Sequence, residues 1–296
     1  MSAEVSRIVV PARFAQWRAH VDGDSGREWV ASLPSRAARL LAEWGLTLDD
    51  AEPLHGAQVL VLMVTREGRP LVLKLSAPQD ATTADEAIGL RAWAGRGTVE
   101  LLESEPGALL LERLDPTRSL HTLPVEQAAR LAARLIRTLA IPPPPGLPGL
   151  PAIAETLPER QRRQGRPVPG RFLSQALGYG PGLLYAGENV LIHADLHYGN
   201  VLAGSRQPWL AVDPRPLHGA PEYSIPELMW NRADDLHSLA DIRRLFALLI
   251  DVAGLDPERA LGWVVTRCVD YWLWGHERGL TIDPARCERV LVALAG

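Results

Sequence analysis

Asp195, Asn200 and Asp213 are the residues whose types and spacing first suggest chemistry. The run Leu191-Ile192-His193-Ala194-Asp195-Leu196-His197-Tyr198-Gly199-Asn200-Val201-Leu202 sets an acid and an amide five residues apart, in a polar turn between apolar stretches. Thirteen residues beyond Asn200, Leu210-Ala211-Val212 leads into Asp213. A carboxylate, an amide and a second carboxylate, each at the end of a buried apolar run, are what phosphoryl transfer needs. One Asp accepts the proton of an attacking hydroxyl, while Asn and the other Asp hold Mg²⁺ on the phosphates. His193-x-Asp195-x-His197 has a second chemistry open to it, ligation of a transition metal as in hydrolases. The chain offers no further clustered His to complete a zinc site.

The first third of the chain supplies a possible cation. Thirty of the basic residues are arginine and one is lysine, Lys74, in the apolar run Leu71-Val72-Leu73-Lys74-Leu75. Coding bias can exchange surface lysines for arginines, but the survivor sits in a strand-like segment, where alternation puts Val72 and Lys74 on one face. A compact ammonium bridges phosphate oxygens and a carboxylate in a way that the wide guanidinium fork does not. Twelve residues on, Glu86 shares a helical stripe with Leu90 and Trp93. An unpaired carboxylate on an inward stripe costs several kcal/mol, so a Lys74–Glu86 ion pair is the economical expectation.

The elements that must position these groups follow from periodicity. Ala37, Leu40, Leu41 and Trp44 predict a leading helix over 33–46, ended by Gly45. Val59–Thr65 and Leu71–Leu75 read as a hairpin around Arg66–Pro70, residues 84–94 as a helix, and Val99–Glu103 with Ala108–Leu114 as two further strands. Beyond Asp115-Pro116 the pattern turns helical. Residues 125–140 form a strongly amphipathic helix stopped by the prolines at 142–145, and the loop over 141–151 reads as a surface excursion. A third helix is expected near 171–186, short strands and turns over 190–213, and helices from 226 onward with a stripe through Leu236, Leu239, Ile242, Leu245 and Phe246. The expected fold class is α+β, a small β-rich lobe over 1–116 and a larger helical lobe over 117–296.

Composition excludes several classes. The chain has 296 residues, 47% hydrophobic and 22% charged, a balance that favours a large buried core over disorder. A net charge of −4 argues against nucleic acid as a partner. From Met1 to Trp17 no apolar run exceeds Ile8-Val9-Val10, so neither export nor a membrane is expected. Cys268 and Cys287 are expected to be reduced and buried in a cytoplasmic protein.

His193-x-Asp195-x-x-x-x-Asn200 with Asp213 resembles the eukaryotic-like kinase superfamily and, within it, the aminoglycoside phosphotransferase branch. The stretch from His193 to Leu202, Pro208-Trp-Leu-Ala-Val-Asp-Pro-Arg-Pro216 and Asn231-Arg232 are similar to the streptomycin 6-kinase and hydroxyurea-resistance group. The resemblance implies a protein-kinase-like bilobal fold with ATP as co-substrate and Mg²⁺ as cofactor. It gives Asp195 the role of catalytic base, Asn200 and Asp213 that of metal ligands, and His193 a structural place in the loop. Lys74 and Glu86 would orient phosphates, Val72 would lie over adenine, and Leu111-Glu112-Arg113-Leu114 would supply the hinge. The acceptor implied is a cationic aminoglycoside such as streptomycin. Alternatives are another small hydroxyl-bearing metabolite, a hydroxyurea-like compound, or an inactive nucleotide-binding relative.

The sequence departs from the pattern in two places. Ala194 stands where this branch commonly has Gly, and His55-Gly56-Ala57-Gln58, at the place of the phosphate-covering loop, has one glycine and no Ser or Thr. For the acceptor, Glu222, Glu227, Asp234, Asp235, Asp270 and Glu277 are candidate partners of a polycation and Trp274, in Tyr271-Trp272-Leu273-Trp274, a candidate stacking ring. Asn231 and Arg232 complete the set, with Arg232 able either to bind phosphate or to tie helix to loop. Monomer and homodimer are both compatible with the sequence.

Overall fold

The computed structural model describes residues 8–77 and 80–296, so the sequence reading of residues 1–7 lies outside the described residues. Contacts divide the chain into two compact units, one ending at Leu114 and one beginning at Asp115.

In the first unit the leading helix is longer than its apolar stripe. Helix α1 spans Ala12–Glu43 and bends at Gly23, whose φ of 62° and ψ of −131° are open to glycine and strained for other residues. Leu33, Ala37, Leu40 and Leu41 bury against Leu60, Leu62, Leu71, Leu73 and Leu75 in one core. The strands are β1 (Thr47–Leu48), β2 (Leu54–His55), β3 (Leu60–Arg66), β4 (Arg69–Leu75), β5 (Leu101–Glu105) and β6 (Ala108–Glu112). They form an antiparallel sheet in the order β1-β3-β4-β6-β5, with β2 also on β3. Glu67 and Gly68 join β3 to β4 at φ 52° and 78°, the left-handed pair that a tight hairpin requires. Leu71, Leu73 and Leu75 point into the core, which sends Val72 and Lys74 to the other face. Helix α2 (Ala81–Trp93) starts ahead of the expected 84–94 because Asp80 caps it, accepting from Thr82 N at 2.9 Å.

The second unit opens with β7 (Asp115–Ser119), which pairs with β9 (Val201–Ala203); Asp115-Pro116 thus belongs to this unit. The alanine-rich face of α3 (Val125–Leu139) is buried as its period predicts. Helix α4 (Ile153–Arg163) was not expected, since Pro158 and a run of arginines mask its pattern; α5 (Gly170–Leu184) follows. The 141–151 stretch is a laid-down strip instead of a free excursion. Leu191 N donates to Ile141 O at 2.7 Å, His218 N to Pro148 O at 3.0 Å and Leu150 N to His218 O at 3.2 Å, while Leu147 is buried. It runs along β8 (Val190–Ile192) and its partner β11 (Leu217–Gly219); β10 (Trp209–Ala211) pairs with β9.

Helices α6 (Ile225–Trp230), α7 (Leu239–Ala253), α8 (Pro257–Glu277) and α9 (Ile282–Ala295) complete the unit. The buried stripe of α7 is Ile242, Leu245, Leu249 and Ala253; Leu236 precedes the helix, Leu239 is exposed and Phe246 half-buried. Cys268 and Cys287 are free and buried. Among the described residues no helix is long and apolar enough to cross a membrane.

Candidate active site

In the first unit the expected ion pair is formed. Lys74 Nζ donates to Glu86 Oε2 at 2.6 Å, with the two side chains 8% and 3% exposed. Strand β4 delivers the lysine beside Val61 of β3, and α2 delivers the glutamate one turn before Leu90. Val72 is half-buried on the lysine's face. At the end of β6, Glu112 and Leu114 are both buried. The Glu112 carboxylate accepts from Glu100 N at 3.2 Å and its own N–H donates to Glu100 O at 2.9 Å, so its backbone donor is spent on β-type pairing. Arg113 fastens this end of the sheet, donating to Leu71 O, Val64 O and Asp49 Oδ2.

In the second unit three short segments are knitted into one turn. Asn200 N donates to His197 O, Val212 N to Asn200 O at 2.9 Å and Arg215 N to His193 O at 2.9 Å. Asn200 Nδ2 donates to Asp195 O at 3.0 Å, which fixes the amide and leaves its oxygen for another partner. Ala194 and Asp213 sit at φ 56° and 55°. The left-handed backbone at Ala194 favours glycine; a Cβ there costs about 1 kcal/mol or more.

Side chains in this turn are strongly tuned. The Asp195 carboxyl is pushed up to about 6, chiefly by burial and next by the Glu227 charge, against the pull of His197 and Arg215. Arg215 Nε lies 3.6 Å from Asp195 Oδ2. His193 is held neutral, its pKa lowered to about 4 by burial, with Nε2 at 3.1 Å from Val212 O. Burial also lowers His197, whose Nδ1 accepts from Gly199 N at 3.1 Å. Each ring thus has one nitrogen engaged within the turn; among the described residues no three His, Cys, Asp or Glu side chains group as metal ligands. Asn200 and Asp213 offer one amide and one carboxylate oxygen, a hard donor set that fits Mg²⁺ sharing its shell with phosphate and water.

The acceptor candidates divide. Tyr198 OH donates to Leu228 O at 3.1 Å, which docks α6 on the turn and brings Glu227 into the electrostatic neighbourhood of Asp195. Glu227 is buried; Oε1 accepts from Arg267 Nη2 at 2.8 Å and Oε2 has no hydrogen-bond partner. The sequence had placed it only in a broad acidic set, because its nearness to Asp195 arises from a tertiary contact. Arg232 takes the tying role: it donates to Leu123 O at 2.6 Å and Asp235 Oδ2 at 2.5 Å, and its guanidinium lies 5.7 Å from the Tyr198 ring. Asn231 Oδ1 is buried without a partner. Glu222 is occupied elsewhere, accepting from Arg259 Nη1 at 3.0 Å and Asp256 N at 3.1 Å. Asp234 pairs with Arg286 at 2.6 Å and Asp270 with Arg160. Trp274 stacks on Tyr271 at 5.0 Å, Tyr271 on Trp230 at 4.7 Å, and Arg278 lies over the Trp274 ring, so this aromatic face is largely self-satisfied.

Comparison with known proteins agrees with this chemistry. Residues 44–279 match the family model described as aminoglycoside/hydroxyurea antibiotic resistance kinase. The chain is 38% identical to a streptomycin 6-kinase of Streptomyces glaucescens, over 94% of each protein. It is 39% identical to a hydroxyurea phosphotransferase of Kitasatospora aureofaciens, over 98% of this chain and 86% of that one. Among solved structures, a thermostable mutant of aminoglycoside phosphotransferase APH(4)-Ia in ternary complex with ADP and hygromycin B shares the fold. The TM-score is 0.60 at 18% identity, over 88% of this chain and 98% of the other.

Proposed function

Because the chain belongs to the aminoglycoside/hydroxyurea antibiotic resistance kinase family, we propose that it transfers the γ-phosphate of ATP to a hydroxyl of an aminoglycoside, with streptomycin the leading acceptor. The observation that carries this reading is the Asp195 turn. A carboxylate raised to about 6 is ionised at neutral pH yet more basic than an ordinary one, as a group that takes a hydroxyl proton should be. Its backbone is held by Asn200 instead of its side chain, so the carboxylate stays available.

Asp195 orients and deprotonates the acceptor hydroxyl. Asn200 and Asp213 would hold Mg²⁺, which when bound offsets charge on the phosphates. Lys74, fixed by Glu86, orients phosphate oxygens; Val72 borders the adenine and the Glu112–Leu114 segment the hinge. Transfer is in line, without a phosphoenzyme, and rests mainly on placement and charge neutralisation. The enzyme works in the cytoplasm on a small cationic acceptor, and its physiological outcome is antibiotic resistance.

Hydroxyurea is a second reading, favoured by the similarity to the Kitasatospora protein. A panel of streptomycin, other aminoglycosides, hydroxyurea and simple amino alcohols, each with Mg·ATP, separates the two. Turnover highest on streptomycin supports the proposal. Turnover on hydroxyurea or a simple alcohol, with none on any aminoglycoside, overturns the acceptor. ATP binding with no turnover on any acceptor marks an inactive nucleotide-binding protein.

A further inference from the structure

The turn between β2 and β3, His55-Gly56-Ala57-Gln58, has one glycine and no hydroxyl side chain with which to grip an anion. Its place is nevertheless set by register. His55 pairs with Leu60, Leu60 with Leu75 and Val61 with Lys74, so the turn stands at the end of the sheet that carries Lys74. Much of its support comes from outside the sheet. Arg18 Nη1 donates to Ala57 O at 3.2 Å, and the Phe14 and His55 rings lie 5.5 Å apart.

Arg18 is itself firmly held. Asp22 pairs with it, its guanidinium lies 5.4 Å from the Trp29 ring centroid, and only 8% of the residue is exposed. The part of α1 before the Gly23 bend is pressed on the part after it at Gly26, where a Cβ would fall 2.3 Å from Arg18 O. A cavity of about 200 Å³, lined by Arg18, Asp22, Trp29, Gln58 and Asp80 among others, adjoins the turn, so on this side the Arg18 bond to Ala57 O faces open space instead of packed side chains.

We infer that Arg18 is a positioning residue for nucleotide phosphates: it fixes the 55–58 turn from the leading helix, replacing the grip that the turn's own side chains lack. The inference rests on Lys74 being the phosphate-binding cation of the proposed function. A guanidinium bond to a carbonyl is a charge-assisted one, and its loss corresponds to about a tenfold effect.

The test uses the full chain with Arg18→Gln and Arg18→Lys. The KM for Mg·ATP of Arg18→Gln is expected to rise about tenfold, with kcat and acceptor KM within about twofold of the parent. Amide hydrogen exchange over 55–59 should accelerate, and Arg18→Lys should recover part of both effects. Unchanged exchange over 55–59, or an unchanged nucleotide KM, overturns the inference. So does an equal rise in nucleotide and acceptor KM with a lowered melting point, which marks a merely structural role. Should the parent itself transfer no phosphate, the functional reading fails separately, and calorimetry with ADP still decides. Weaker ADP binding together with faster exchange supports the Arg18 role, and either one unchanged refutes it.

Discussion

Replacing the proposed catalytic base should make the protein more stable. Asp195 is raised from 3.8 to about 6, with its side chain 26% exposed. A folded state that binds the proton more tightly than the unfolded chain is favoured by this group at low pH. That contribution is complete below about 3.8, is lost as pH rises through about 6, and leaves the ionised carboxylate a net cost at neutral pH. Converting the difference gives about 3 kcal/mol at most, and partial solvent screening lowers it to about 2 kcal/mol. Asp195→Asn keeps the shape and the Asn200 bond to the backbone carbonyl, and it removes the charge. Thermal melts of the ligand-free parent and variant at pH 7.5 should therefore differ by roughly 4–8 °C in favour of the variant, the gap closing by about pH 4. Neutral burial of His193 destabilises both proteins alike on acidification and cancels in the comparison. A variant no more stable than the parent at neutral pH, or one whose gain does not depend on pH, would refute the argument that the site holds a strained, ionised base.

The same carboxylate should set the acid limb of kcat/KM near pH 6, with about a tenfold fall for each pH unit below it. Glu227→Gln should move that limb to lower pH but not as far as 3.8, since burial, the larger cause, remains; an unmoved limb would dissociate Glu227 from Asp195. Lys74→Arg and Lys74→Met should each lower kcat/KM for ATP by at least about a hundredfold, because the guanidinium fork does not reproduce the buried point charge; near-parental activity of the arginine variant would dispose of the reasoning. At φ 56°, Ala194→Gly should stabilise the protein by about 1 kcal/mol in urea titration while Ala194→Val destabilises it by more, and the reverse order would show that the turn does not impose that conformation.

The Asp195 turn and the Lys74–Glu86 pair were legible in the sequence because each depends on short-range geometry. A two-residue strand alternation places Lys74 opposite the core, a helical stripe turns Glu86 inward, and a tight turn holds Asp195 and Asn200 five residues apart. Groups defined by distant partners were not legible. Glu222 looked like a free acid until Arg259 and the Asp256 amide occupied it, and nothing local tells that Glu227 lies near Asp195. Glycine and proline hid two helical stretches. Gly23 leaves the helical region and bends α1, and Pro158 lies inside α4, so each interrupts the local pattern from which a helix is read.

In the proposed function this turn moves phosphate from ATP to an aminoglycoside hydroxyl with Asp195 as base. Phosphorus NMR of streptomycin incubated with Mg·ATP and either parent or Asp195→Asn tests it most directly. A single phosphomonoester on the antibiotic is expected, formed with an equal amount of ADP by the parent and at least about a thousandfold more slowly by the variant. Product formed equally fast by both proteins would contradict it.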